Sequence, residues 1–495
     1  MKKSLRAWDA VQVELQGRYS VARLREFNDF QSRVGCPHTL FVTALTPLPC
    51  TMVIIVIETL PLVPASEPLE NQTFGYWFRL FFMTAMLTFV SVDVLRLGEA
   101  QLPMARSLQC FITAAIGLCL LGVDACFSRI IGFPVPFTMQ LGTGPFLLLL
   151  TLALWCCWRE EVRQNGVARR ELKRQMSYFT AVVGIILVYV MFSCVYQRLS
   201  ASAQIVLIGV LPFIKLLFKN WVSSAVLHLD GHAPTVIMFS VDVFHALFQS
   251  STAQQTTSGT TIAIVMTVDL FQSLVAYNEV TIVLNHLNNV AQPRSSPVIG
   301  EFRPIQYVLS VLDHNPQLLS HPEIEKRVGS SLTASVPSSL SGPSCVSIVP
   351  MAMKTVHNED QSPLEAVKYS LKLLYMLECY VLIEFAEVVV ATIYCAYLIA
   401  MRWLPNRQYN TQLNRLTDAQ FDSTIIQVAT FTGLELVSYL LLCFALQRKV
   451  PDVSPMRLLA FVLHKHWDLV HGLLTVWVAF VMQVPLEYFG ACFIN

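Results

Sequence analysis

Charge is scarce in this chain. Only 14% of its 495 residues are Asp, Glu, Lys or Arg, where soluble domains carry about 25%. So little charge cannot cover a water-facing surface, which excludes an ordinary soluble domain. Glycine is low as well, at 20 residues, although membrane helices usually hold more of it than soluble ones. Few small residues are therefore available for sliding helix interfaces, which weighs modestly against transport. The formal charge of +1 and the lack of zinc-finger or RNA-binding signatures leave no reason to expect a nucleic-acid partner. P-loop, Gly-x-Ser-x-Gly, His-Glu-x-x-His and dinucleotide patterns are all missing, so neither an enzyme class nor a cofactor is indicated. The 13 cysteines are odd in number and scattered mostly through apolar segments, which is no disulfide framework. The first 38 residues lack an apolar core with a small-residue cleavage site, so no cleavable signal peptide is expected.

What the chain does have is apolar length. Hydrophobic residues make up 54% of it, and long apolar runs recur from residue 39 onwards. The pattern predicts an all-α, polytopic helical membrane protein with about 11 transmembrane helices, in a range of about 9–12. Residues 1–38 form an N-terminal segment with seven Lys or Arg against four Asp or Glu, so the positive-inside rule predicts a cytosolic N-terminus. Val21, Leu24, Phe27 and Phe30 recur there at helical spacing, as in an interfacial helix. A first membrane region, 39–285, holds about eight spans. The first of these, 39–62, is kinked at Pro47 and Pro49. Residues 159–174 are the most basic stretch, the mark of a cytosolic loop. Residues 286–365 are rich in Ser, Pro and Asn, which predicts a mostly disordered cytosolic loop. A second membrane region, 366–495, adds about three spans, the last at 458–489. Which membrane holds the protein is not legible.

One pattern repeats within this frame. Ser240-Val241-Asp242-Val243-Phe244-His245-Ala246-Leu247 returns 27 residues later as Thr267-Val268-Asp269-Leu270-Phe271-Gln272-Ser273-Leu274. In antiparallel spans at 233–250 and 260–285, both aspartates fall near mid-depth, where a carboxylate is costly and marks a functional-site hypothesis. His245 and Gln272, three residues on, share a helix face with them and would orient them. Two carboxylates in low dielectric do not both stay ionised, which suits proton or cation binding. The flexible Gly-x-Gly-Asp of intramembrane aspartyl proteases is missing, which argues against that chemistry. Lys215, one turn beyond Pro212, is the candidate counter-charge. On the long span 368–402, Glu384 and Glu387 share a face, while Glu378 points elsewhere. With Glu435 they suggest a second acidic patch.

Weaker candidates complete the set. His464, Asp468 and His471 stand at i, i+4 and i+7, a spacing that can ligate a transition metal if one helix carries all three. The neighbouring Lys465 and Trp467 fit an interfacial anchor better. Asn71-Gln72-Thr73 is a glycosylation sequon. Cys156 and Cys157 lie at a span end beside the basic loop, where S-palmitoylation occurs.

Arg18 to Leu24, Leu45-Thr46-Pro47-Leu48-Pro49, Lys215, Lys219-Asn220-Trp221 and the Asp242 motif together resemble an uncharacterised multi-pass membrane protein family of oomycetes. The resemblance covers a little over half the chain. It implies a membrane protein and no assigned activity. The function expected from the residues themselves is a transporter or channel for a cation, a proton or a proton-coupled solute. The alternative is a non-transporting scaffold or receptor-like protein that recruits cytosolic proteins through the loop 286–365.

Overall fold

The computed structural model describes residues 12–97, 104–255, 259–291, 302–320 and 362–489. Among them every regular element is a helix. After a 3-10 turn at Val13–Leu15 come α1 (Val21–Arg33), α2 (Cys36–Leu45), α3 (Pro47–Thr59), α4 (Phe74–Arg96), α5 (Arg106–Ile131), α6 (Thr143–Gln164), α7 (Gly166–Arg198) and α8 (Leu211–Val226). There follow α9 (Ala233–Gln255), α10 (Gly259–Ala291), α11 (Pro304–His314), α12 (Ser362–Met401), α13 (Asp418–Lys449), α14 (Pro455–Lys465) and α15 (Trp467–Gln483).

Among the described residues eight helices are long and apolar enough to cross a membrane, and the apolar α15 is shorter. The chain is therefore an all-α integral membrane protein. The eight include the kinked pair α2–α3, read as one span from Cys36 to Thr59, and a span from Val206 to Val226 that contains α8. The expected spans at 233–250 and 260–285 are helical as α9 and α10, but they stand outside those eight.

Local chemistry sets the breaks. Ser20 caps α1 by accepting from the Arg23 amide at 3.3 Å, and Thr417 caps α13 in a reciprocal box with Gln420. Pro212 sits in the first turn of α8, where its missing N–H costs nothing. Arg448 and Lys449 close α13 and complement its negative end.

Burial sorts the helices into two kinds. Phe111, Leu118, Leu148, Phe213 and Phe444 stand more than half exposed on the outer helices, as lipid-facing side chains do. In the span that contains α6, 22% of the most apolar stretch is buried, against 72% in α12. Every residue of α9 from Thr235 to Ser250 is buried. The helices α3, α9, α10, α13 and α14 pack around α12, so the C-terminal region supplies a helix to the middle of the first one. α9 buries Ser240, Asp242, His245, Gln249 and Ser250; Ser240 meets the Tyr178 hydroxyl at 2.9 Å, His245 lies beside the Tyr189 hydroxyl, and Asp242 is paired with Lys215 and Lys219.

Most of the expected disordered loop, 292–301 and 321–361, lies outside the described residues. Its described parts are helical at both ends, 286–291 closing α10 and 362–365 opening α12, and 302–320 contains α11, which buries Ile305, Val308 and Leu312. Its first amides are taken by the Asp452 carboxylate, at 2.6 Å from Ile305 N and 3.3 Å from Gln306 N. A carboxylate at a helix N-terminus stabilises by about 0.5–2 kcal/mol. Asp452→Ala should therefore loosen α11 alone. Hydrogen exchange should accelerate across 304–314 and stay unchanged in α12; equal acceleration in both would remove the local capping role.

Candidate cation-binding site

Lys215 and Lys219 lie one turn apart on α8 and share its buried face. Both ammonium groups lean on one oxygen of Asp242 from α9, Oδ1, with Nζ at 2.9 Å for Lys215 and 3.1 Å for Lys219. These are ion pairs, since neither oxygen of Asp242 accepts a directed hydrogen bond. Each lysine aims a hydrogen bond at a glutamate instead. Lys219 donates to Glu14 Oε1 at 2.9 Å, and Lys215 donates to Glu387 Oε1 of α12 at 3.1 Å. All five groups are buried, so each charge depends on the others for compensation.

Glu387 joins this network to a second one. Asp269 from α10, Glu387 from α12 and Glu435 from α13 each offer a carboxylate oxygen within 4.8 Å of the other two. The three side chains are buried, at 3%, 2% and 1% exposure. Asp269 Oδ2, Glu387 Oε2 and both oxygens of Glu435 have no hydrogen-bond partner. Glu384, one turn before Glu387, differs in this respect. It accepts from Ser273 Oγ on one oxygen and from Ser438 Oγ, at 3.3 Å, on the other. Asp269, Glu384, Glu387, Lys215 and Lys219 line one cavity of about 390 Å³, the size of a small-ligand pocket. Glu279, which accepts from the Tyr380 hydroxyl, lines it too.

The two motif copies therefore hold different positions. Asp242 is the anchor for two lysines, while Asp269 faces two glutamates, and Lys215 and Glu387 link them. His245 lies outside the cavity lining, with Nδ1 3.3 Å from the Tyr189 hydroxyl. Gln272 lines the cavity beside Asp269. Glu378 belongs elsewhere, paired with Arg23 at 3.2 Å. Glu14 was missed by sequence reasoning, because a glutamate in a polar N-terminal segment looks solvated. The signal that could have found it is the pair of lysines at i and i+4 in an apolar helix, which requires more carboxylates than Asp242 alone.

The histidine stripe is a correction. The chain leaves helical geometry at His466 (φ −112°, ψ 29°), so His464 ends α14 while Asp468 and His471 begin α15. His464 packs beside Phe30 and His38, and His471 lies against Trp467 with the rings tilted by 60°. Their ligand atoms do not converge; the only such group among the described residues is the carboxylate trio. Asn71 is exposed on a 3-10 turn, donating to Glu67 Oε2 at 3.2 Å. Cys156 is exposed and Cys157 half-buried on α6, beside a kink at Trp158.

No protein-family model, curated protein or solved structure matches the chain. The resemblance to the oomycete family gains no support from these comparisons.

Proposed function

We propose that this membrane protein binds and conducts a cation or protons through the site formed by Asp269, Glu387 and Glu435. One observation carries the reading: three carboxylates from three helices, two of them apolar and long enough to span a membrane, converge with partnerless oxygens next to a cavity. Glu384 beside them is held through both oxygens by serines, and Asp242 is compensated by two lysines, whereas the trio shares one oxygen of Glu387 with Lys215. Partnerless buried oxygens are costly, and a bound cation or proton removes that cost. Asp242 has a supporting part, fixing Lys215 beside Glu387.

The test is flux in liposomes under imposed pH, K⁺ and divalent-ion gradients. Losing one charged ligand removes on the order of 1.5–3 kcal/mol, so Asp269→Asn and Glu435→Gln should each lower flux at least about tenfold. Asp468→Asn, an exposed residue of α15, should leave it unchanged. Flux absent for every ion, with all proteins folded, would favour the scaffold reading through the loop 286–365.

A further inference from the structure

We infer that the trio holds a hard divalent cation of the Mg²⁺, Mn²⁺ or Ca²⁺ class between α10, α12 and α13. This rests on the reading of the trio as a cation site and names the ion class it takes.

The donor set comes first. Every converging ligand atom is a carboxylate oxygen, with no sulfur or imidazole among them. Oxygen-only sites suit Mg²⁺, Ca²⁺ and Mn²⁺ rather than zinc or copper. Spacing agrees with this. Oxygens bound to one ion at about 2.0–2.6 Å stand at most about 4–5 Å apart, and the trio's atoms lie within 4.8 Å of one another. A small contraction would seat an ion without rearranging the helices.

Charge then separates divalent from monovalent ions. The trio carries three carboxylates, and its one ammonium neighbour, Lys215, is shared with Asp242. A monovalent ion leaves more negative charge buried than a divalent one, and buried uncompensated charge is expensive. Partnerless oxygens supply the ligand positions: one from Asp269, one from Glu387 and two from Glu435. Glu384 is no ligand, because its two oxygens are already held by serines. The adjoining cavity, which Asp269 and Glu387 line, has room for waters to complete the shell. Mg²⁺ in particular keeps several waters beside one or two carboxylates.

The experiment uses Mn²⁺ as the probe, added to the purified full chain in detergent, with free Mn²⁺ read by electron paramagnetic resonance. About one Mn²⁺ should bind per chain, displaced by Ca²⁺ or Mg²⁺ and not by equal K⁺. Glu435→Gln should weaken binding at least about tenfold, while Asp468→Asn should not change it. If Glu435→Gln does not fold, the competition series on the unaltered protein decides. Binding that never saturates, that K⁺ displaces equally, or that survives Glu435→Gln unchanged overturns the inference. Saturable Mn²⁺ binding without flux of any ion would keep the inference and remove the transport reading. Asp269-dependent proton or K⁺ flux without Mn²⁺ binding would do the reverse.

Discussion

Lys215→Met should be among the most damaging single substitutions, costing about 3–5 kcal/mol of stability. Methionine fills nearly the same volume, so the loss is one of charge. Lys215 is 2.9 Å from Asp242 and 3.1 Å from Glu387, and it is 6% exposed at its side chain. Without it, Asp242 keeps only Lys219, and Glu387 faces Asp269 and Glu435 with no ammonium beside it. Removing one partner of a buried pair costs more than removing both, because the survivor stays charged in a poor solvent. Glu387→Gln added to Lys215→Met should therefore restore part of the loss, and the two changes should be strongly non-additive. Unfolding in graded detergent mixtures measures the cycle. Additive effects would mean that the two groups do not interact.

A second large effect is expected at a separate buried ion pair. Arg79 on α4 is 1% exposed and Glu58 on α3 is 0% exposed, with Nη1 and Oε2 3.1 Å apart. Gln483 at the end of α15 closes the triad, accepting from Arg79 at 2.8 Å and donating to Glu58 at 2.7 Å. Two successive N-terminal helices are thereby pinned to one more than 400 residues away. Arg79→Met should cost about 3–5 kcal/mol by leaving the buried Glu58 charge without its cation, with only the Gln483 amide beside it, and Glu58→Gln in the same chain should recover part of it. A loss below about 1 kcal/mol in the same detergent titration would place the pair among weakly coupled polar contacts.

Helix content and the membrane class were legible because they follow from composition and run length, which are local. The weight of each acidic residue was not. The duplicated motif shows why most directly. Phe244 and Phe271 occupy the same place in the two copies, yet Phe244 is 2% exposed and Phe271 is 66% exposed. The first copy lies on an enclosed helix and the second on a peripheral one, a difference made by neighbours and not by the motif. The same holds for Glu14 and Lys219, and for Arg23 and Glu378, which meet across 205 and 355 residues of chain. Pairing at such separations leaves no periodic trace. Pattern reading could place Glu384 and Glu387 on one face, since that depends only on helix geometry. It could not foresee that Ser273 and Ser438 would satisfy the first and leave the second to share with Lys215 and Asp269.

The enclosure of α9 bears on how the protein is made. Its partner α12 begins at residue 362, more than a hundred residues after α9 ends. During synthesis this helix, with Asp242, His245 and Gln249 along it, is made long before its shelter exists. Its immediate predecessor solves part of that difficulty. α8 carries Lys215 and Lys219 and packs directly on α9, so Asp242 arrives with its counter-ions already in the same hairpin. Asp242 and Glu14, both made before α12, together balance Lys215 and Lys219 in charge, so the group can wait until the C-terminal helices are translated and close over it.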